Sequence, residues 1–248
     1  LLDDDPFIRM SYPDLVEDGG RYYVTETQKN IGRVHEIPPS LLDGLFGQWD
    51  NRSVAKNGLV LKLPADSAMP SEARMPALPE FLTRDTDRPD HGGKDLRAGI
   101  SLDLWLQLDS METGQIILDS RDKSGKGILL TTTDRSALKF SMNDGRSEPG
   151  WECDPGTIQI GRSQHVAIIV DGGPRIISFV INGIFNDGGD DRQFGWGRYS
   201  PNLRTPTGSA TLRIGSKMNG TVRVLRIYNR AILVSEAVGN YQAGIDRP

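Results

Sequence analysis

Ile100, Leu102, Leu104, Leu106 and Leu108 alternate with Ser101, Asp103, Trp105 and Gln107. Strict period-2 alternation suits an extended strand with one buried face, because successive side chains leave a strand on opposite sides. The leucines are therefore expected to face a second layer, and a one-residue slip of register would turn all of them to solvent. Further strands are predicted at 115–120, 127–132, 137–143, 164–171, 175–182, 210–215 and 221–229, with alternating Leu59, Leu61 and Leu63 before them. Asp171-Gly172-Gly173-Pro174 and Asn182-Gly183 are hairpin-turn signals. With 28 Gly and 15 Pro and no strand–helix–strand rhythm, the pattern predicts an all-β, two-sheet antiparallel sandwich or jelly roll.

Helical spacing is confined to two places. Apolar positions 41, 42, 45, 46 and 49 predict a linker helix with Ser40 as N-cap, covering a neighbouring surface. Val234–Gln242 predicts a short C-terminal helix with Ser235 as N-cap and Glu236 in its first turn. Before the linker, Tyr12–Val16 and Arg21–Thr27 flank the turn Glu17-Asp18-Gly19-Gly20 and read as a hairpin. The long polar stretch 64–98 is expected to cross between sheets. The abrupt opening Leu1-Leu2-Asp3-Asp4-Asp5 reads as a processed product or an excised piece.

Composition excludes several classes. Lys and Arg total 29 against 33 Asp and Glu, a net charge of −4 of mixed sign, which argues against a nucleic-acid partner held by phosphate contacts. No run of apolar residues is long enough to span a membrane. The one cysteine, Cys153, permits neither an internal disulfide nor a cysteine zinc site, and reads as a buried small residue. Three histidines, His35, His91 and His165, argue against a His-based metal cluster, and His165 reads as structural within its alternating strand.

Four ordered stretches carry a resemblance: Gly99-Ile100-Ser101-Leu102-Asp103-Leu104-Trp105-Leu106, Gln164-His165-Val166-Ala167, Val180-Ile181-Asn182-Gly183, and Leu212–Gly215 followed by Asn219-Gly220 and Leu225–Ala231. Together, residues 58–246 resemble the laminin-G-like branch of the concanavalin A-like lectin/glucanase superfamily. Gln164 departs from the family's Trp-His-His-Val-Ala strand. The resemblance implies a concanavalin A-like jelly roll but not one function, since the fold hosts lectins, hydrolases and adhesion modules. Ser11–Gln28 resembles a single hairpin of the sialidase-like β-propellers. That resemblance implies a Tyr nucleophile and an activating Glu, and places Tyr12 and Glu26 about there. The other reading is that both are ordinary residues of a blade. A propeller needs four or more blades, so catalysis by this chain is not expected.

The loop 186–199 combines Asp187, Asp190, Asp191, Arg192, Trp196 and Tyr199 with Phe194 and several glycines. Three readings stay open. It is a solvated loop with its aromatics packed beneath it, a sugar contact using planar polar groups and an aromatic face, or a Ca²⁺ site using Asp187, Asp190 and Asp191. A second polar cluster, Arg84–Asp95, reads as a salt-bridged crossing. Asp119–Gly127 reads as a hairpin turn, not a phosphate loop. Ser141–Gly145 only faintly suggests a sialidase Asp-box turn, and Trp151 lies too far along the chain to complete it.

The paired-carboxylate strand of concanavalin-like hydrolases is absent, which argues against glycosidase chemistry in the sandwich. The expectation is thus two units, 1–45 as a propeller remnant with its linker and 46–248 as the sandwich. The sandwich reads as a non-catalytic carbohydrate-binding or targeting module of a larger sialidase- or glycosidase-like protein. The alternatives are a structural domain that stabilises an intramolecular propeller, or a protein–protein adhesion module. No cofactor is expected apart from the Ca²⁺ alternative, and the resemblance implies an extracellular or periplasmic parent.

Overall fold

A computed structural model describes residues 12–28, 31–64, 68–78, 98–200 and 203–245. The chain opens with a three-stranded antiparallel sheet of β1 (Asp14–Asp18), β2 (Arg21–Gln28) and β3 (Ile31–Ile37). The expected hairpin thus gains a third strand. Helix α1 (Pro39–Phe46) follows, with Pro38 rather than Ser40 at its N-cap and Gly47 ending it before Trp49. None of its residues is fully buried, and it rests against the start of the C-terminal helix, where a Cβ on Gly44 would lie 3.4 Å from Ser235 Oγ.

The remainder is the sandwich. One sheet runs β10 (Gly150–Glu152), β9 (Leu138–Asn143), β8 (Gly127–Thr132), β7 (Ile116–Asp119), β15 (Thr211–Lys217) and β5 (Glu72–Arg74). The other runs β13 (Ile184–Phe185), β12 (Ile176–Ile181), β11 (Ser163–Asp171), β6 (Ala98–Leu108), β16 (Gly220–Arg230) and β4 (Leu59–Leu63), with β14 (Trp196–Arg198) also pairing β12. All pairings are antiparallel. The chain passes between the sheets ahead of β5, since β4 pairs β16 in one and β5 pairs β15 in the other. The Arg84–Asp95 cluster lies outside the described residues.

The alternating leucines behave as their period requires. Leu102, Leu104 and Leu106 are fully buried between the sheets, with Ile168, Val166 and Leu225 from neighbouring strands and Leu118, Leu130 and Phe140 from the facing sheet. A bulge between Val222 and Val224 resets the phase of β16. Val222 and Leu225 therefore both face the core, while Val224 pairs Trp105 and Arg226 pairs Asp103 on the outer face. The Asn182-Gly183 turn joins Ile181 to Ile184 with both central residues at positive φ, 51° and 75°, as a tight two-residue hairpin demands.

Helix α2 (Val234–Ala243) lies over the outer face of the seven-stranded sheet. Leu233 is its N-cap, in place of the expected Ser235. The Glu236 carboxylate accepts the Leu233 N–H at 2.8 Å and pairs with both terminal nitrogens of Arg230 at 2.6 and 2.7 Å. A second apolar cluster of Ala167, Ile169, Val180, Tyr228, Ala231, Ile232 and Ala237 fills the space beneath it.

Candidate functional site: an aromatic ledge on the sheet edge

β13 and β14 both pair with β12, and residues 186–195 loop out between them. Two clamps hold the loop's base. Asn186 Oδ1 accepts the Asp154 N–H at 2.9 Å, and Asp154 Oδ2 accepts the Gly188 N–H at 3.1 Å. Arg192 donates to Asp154 Oδ1 and to the Glu152 carbonyl, and its guanidinium lies 4.3 Å above the Trp151 ring. Gly197 packs under that ring, where a Cβ would meet Trp151 Cε3 at 2.5 Å. Since Gly197 turns inward, period 2 sends Trp196 and Arg198 to the outer face. Trp196 is half-buried, and Phe194, 46% exposed, sits 5.1 Å from its ring centre. The two rings form a ledge at the edge of the sheet.

The sequence-derived candidates separate into groups. Trp196 is on the ledge; Asp187, Asp190 and Asp191 are exposed in the loop beside it. Asp187 Oδ1 accepts the Gly189 N–H, and Asp191 pairs with Arg135 at 3.6 Å. No group of three or more His, Cys, Asp or Glu side chains is gathered for a metal ion among the described residues. Arg192 turns inward to Asp154 and Trp151. Tyr199 is buried in the main core, donates to the Asp171 carbonyl at 3.2 Å, and burial pushes its phenol well above the usual range. Trp151, Asp154, Phe194 and Arg198 were not among the candidates. Trp151 and Asp154 lie too far back in the chain for spacing to connect them to the loop.

Tyr12 and Glu26 are not joined. Tyr12 is 87% exposed, whereas Glu26 is 2% exposed and lies 3.3 Å from His35 and 3.6 Å from Arg33 on the facing strand. The Asp119–Gly127 hairpin turn stands as expected, with the Asp122 carboxylate accepting the Ser124 and Lys126 N–H groups. His165 is structural, fully buried against Asp103 at 2.7 Å.

Electrostatics in the sandwich are settled pairwise. Burial alone would raise Asp103, but the His165 contact and Arg226 outweigh it and hold the carboxyl below its usual value. Asp119 is likewise held low, its desolvation outweighed by hydrogen bonds from Arg121 and Arg213. Desolvation pushes the Tyr228 phenol up to about 12 and raises the Cys153 thiol.

The chain resembles the CBM40 of the Ruminococcus gnavus IT-sialidase bound to α2,3 sialyllactose, at 11% identity and a TM-score of 0.46, covering 73% of this chain and 98% of that one. It also resembles the Trypanosoma rangeli sialidase in complex with sialic acid, at 12% identity and a TM-score of 0.47, covering 94% of this chain and 44% of that one. No curated protein matches the chain. Residues 87–237, more than half of the chain, match the family profile described as the concanavalin A-like lectin/glucanases superfamily. With its antiparallel sandwich and its ordered motifs, the chain belongs to that superfamily.

Proposed function

We propose that the chain is a non-catalytic carbohydrate-binding module of a sialidase-like protein, with residues 46–248 as the module. The observation that carries this reading is the Phe194–Trp196 ledge, an exposed and a half-buried aromatic ring 5.1 Å apart on a sheet edge. A pyranose ring offers an apolar C–H face to such rings and its hydroxyls to neighbouring polar groups, here Asp187, Asp190 and Arg198. Several carboxylates of the sandwich are committed to ion pairs. Asp103 is bound by Arg226 and His165, Asp119 by Arg121 and Arg213, and Asp154 by Arg192.

A glycan array probed with the chain and with Trp196→Ala tests the reading. A sugar that binds the parent, and binds the variant at least tenfold more weakly at unchanged melting temperature, supports it. Equal binding by both, or none by the parent, overturns the ledge. The dissociation constant expected is ~0.1–1 mM, because a shallow ledge buries little area and sugar hydroxyls give up good hydrogen bonds to water.

One observation favours the second reading, a domain packed against a propeller. Leu15, Val34, Leu41, Leu45, Phe46 and Trp49 are all exposed within the N-terminal sheet and linker. This supports a role for the N-terminal sheet and linker in joining the module to another folded unit.

A further inference from the structure

The outer face of the seven-stranded sheet carries a polar cluster sealed beneath α2. Asp103 Oδ1 accepts from Arg226 Nη1 at 2.8 Å, and Oδ2 accepts from His165 Nε2 at 2.7 Å and Asn240 Nδ2 at 2.8 Å. Arg226, Asp103 and His165 are completely buried. Arg226 Nε and Nη2, Trp105 Nε1 and His165 Nδ1 nevertheless have no hydrogen-bond partner. Buried polar groups without hydrogen-bond partners cost free energy, and this concentration in one layer calls for an explanation.

Arg226 supplies one. Its Nε and Nη2 form the edge of the guanidinium that matches two carboxylate oxygens. Elsewhere in this chain that same edge is filled by a carboxylate: Arg121 Nε and Nη2 hold Asp119 Oδ1 and Oδ2 at 3.0 and 3.2 Å. In Arg226 the corresponding edge is open. Tyr241 of α2 stacks on Trp105, ring centres 5.8 Å apart and planes at 21°, and Asn240 of α2 bonds the same Asp103 that Arg226 holds. Lifting α2 would therefore bare the face of an indole ring and open the Asp103–Arg226 pair, with its unfilled fork, to a ligand.

The helix is fastened by polar bonds and one ring stack over a short apolar face. The residues that it buries are Ala237, Val238, Gly239, Asn240 and Ala243, so its apolar contact is small. Asn240 does much of the fastening, through Asp103, the Tyr228 hydroxyl and the Ala55 N–H.

The geometry points to α2 as a displaceable lid over a second binding site, whose ligand is a carboxylate carried on a ring. Arg226 takes the carboxylate and Trp105 takes the ring face that Tyr241 covers in the closed form. Sugar acids and aromatic acids share this chemistry.

The test uses a staple across the lid. Asn51 Cγ lies 3.0 Å from a Cβ built on Gly239, so Asn51→Cys/Gly239→Cys can close a disulfide between α2 and the segment before β4. Sodium N-acetylneuraminate, sodium D-glucuronate and sodium benzoate are titrated into the full chain, with their methyl esters as uncharged controls. Binding is followed by NMR at the Arg226 Nε–H and Trp105 indole N–H. The expected result is that at least one acid shifts both resonances and its ester does not. Oxidising the staple should weaken binding at least tenfold, and reduction should restore it. Binding by the sugar acids alone or by benzoate alone identifies the source of the carboxylate. Arg226→Lys, which keeps the charge but not the fork, should abolish the response. Should that variant fail to fold, the oxidised and reduced staple still decide the matter within one molecule. No shift with any acid in the reduced protein, or equal affinity in both redox states, overturns the lid. Trp196→Ala should leave these titrations unchanged, which separates this site from the ledge.

Discussion

Arg192 lies over the indole of Trp151, its guanidinium carbon 4.3 Å from the ring centre, while the same guanidinium binds Asp154. One side chain thus ties the 186–195 loop to the strand on the opposite sheet by a cation–π contact and a charge-assisted bond. Arg192→Ala should cost about 1–3 kcal/mol, because it removes both contacts and leaves Asp154 half-buried without its cation. Thermal denaturation checks the cost. Limited proteolysis should show new cleavage between 187 and 195, and an unchanged digestion pattern would refute the clamp.

Gly197→Ala should destabilise by about 1–3 kcal/mol, since the added methyl would meet the Trp151 ring at 2.5 Å and the ring is also held by Arg192. The midpoint of urea unfolding measures this. A variant as stable as the parent would show that β14 can move off β12 freely.

Tyr199→Phe should lower stability by about 1 kcal/mol, through loss of the bond to the Asp171 carbonyl, and should leave sugar binding intact. Paired melting and glycan-binding measurements test both halves. Loss of binding at full stability would return Tyr199 to the site.

Leu104→Ala should cost about 2–5 kcal/mol as a large-to-small change in the fully buried centre of the sandwich. Equilibrium denaturation reads it directly, and a cost under about 1 kcal/mol would contradict this burial.

The Asp103 carboxyl is held below its value in the unfolded chain, 3.8. The unfolded state therefore binds more protons in the window beneath that value. The stability contributed by this group is present above pH 3.8 and is lost as pH falls through its folded value. Asp103→Asn should flatten the acid limb of the stability curve and lower stability at neutral pH by about 3–5 kcal/mol, the usual result of stripping one partner from a buried ion pair. An acid limb of parental steepness would locate the acid sensitivity in Asp119 or Asp144, which are also held low.

Strand positions were legible in the sequence because each depends on local alternation. The leucines of β6 follow period 2, the Asn182-Gly183 turn follows its demand for positive φ, and both come out as local chemistry requires. The motif order was similarly sufficient for the superfamily. Short strands such as β5, β10 and β13 carried no such signal, since two or three residues have no period and exist only because a neighbouring strand offers them hydrogen bonds. The fate of side chains within the 186–199 loop was decided by tertiary packing. Arg192, Trp196 and Tyr199 look alike as loop residues, yet Asp154 and Trp151 draw the first inward, period 2 across Gly197 turns the second outward, and the core takes the third. The bulge at Val222–Val224 was equally invisible: uninterrupted alternation would have set Val222 and Val224 on one face. Only pairing against Leu106 and Trp105 splits them, and that one-residue reset is what places Arg226 beside Asp103 beneath α2.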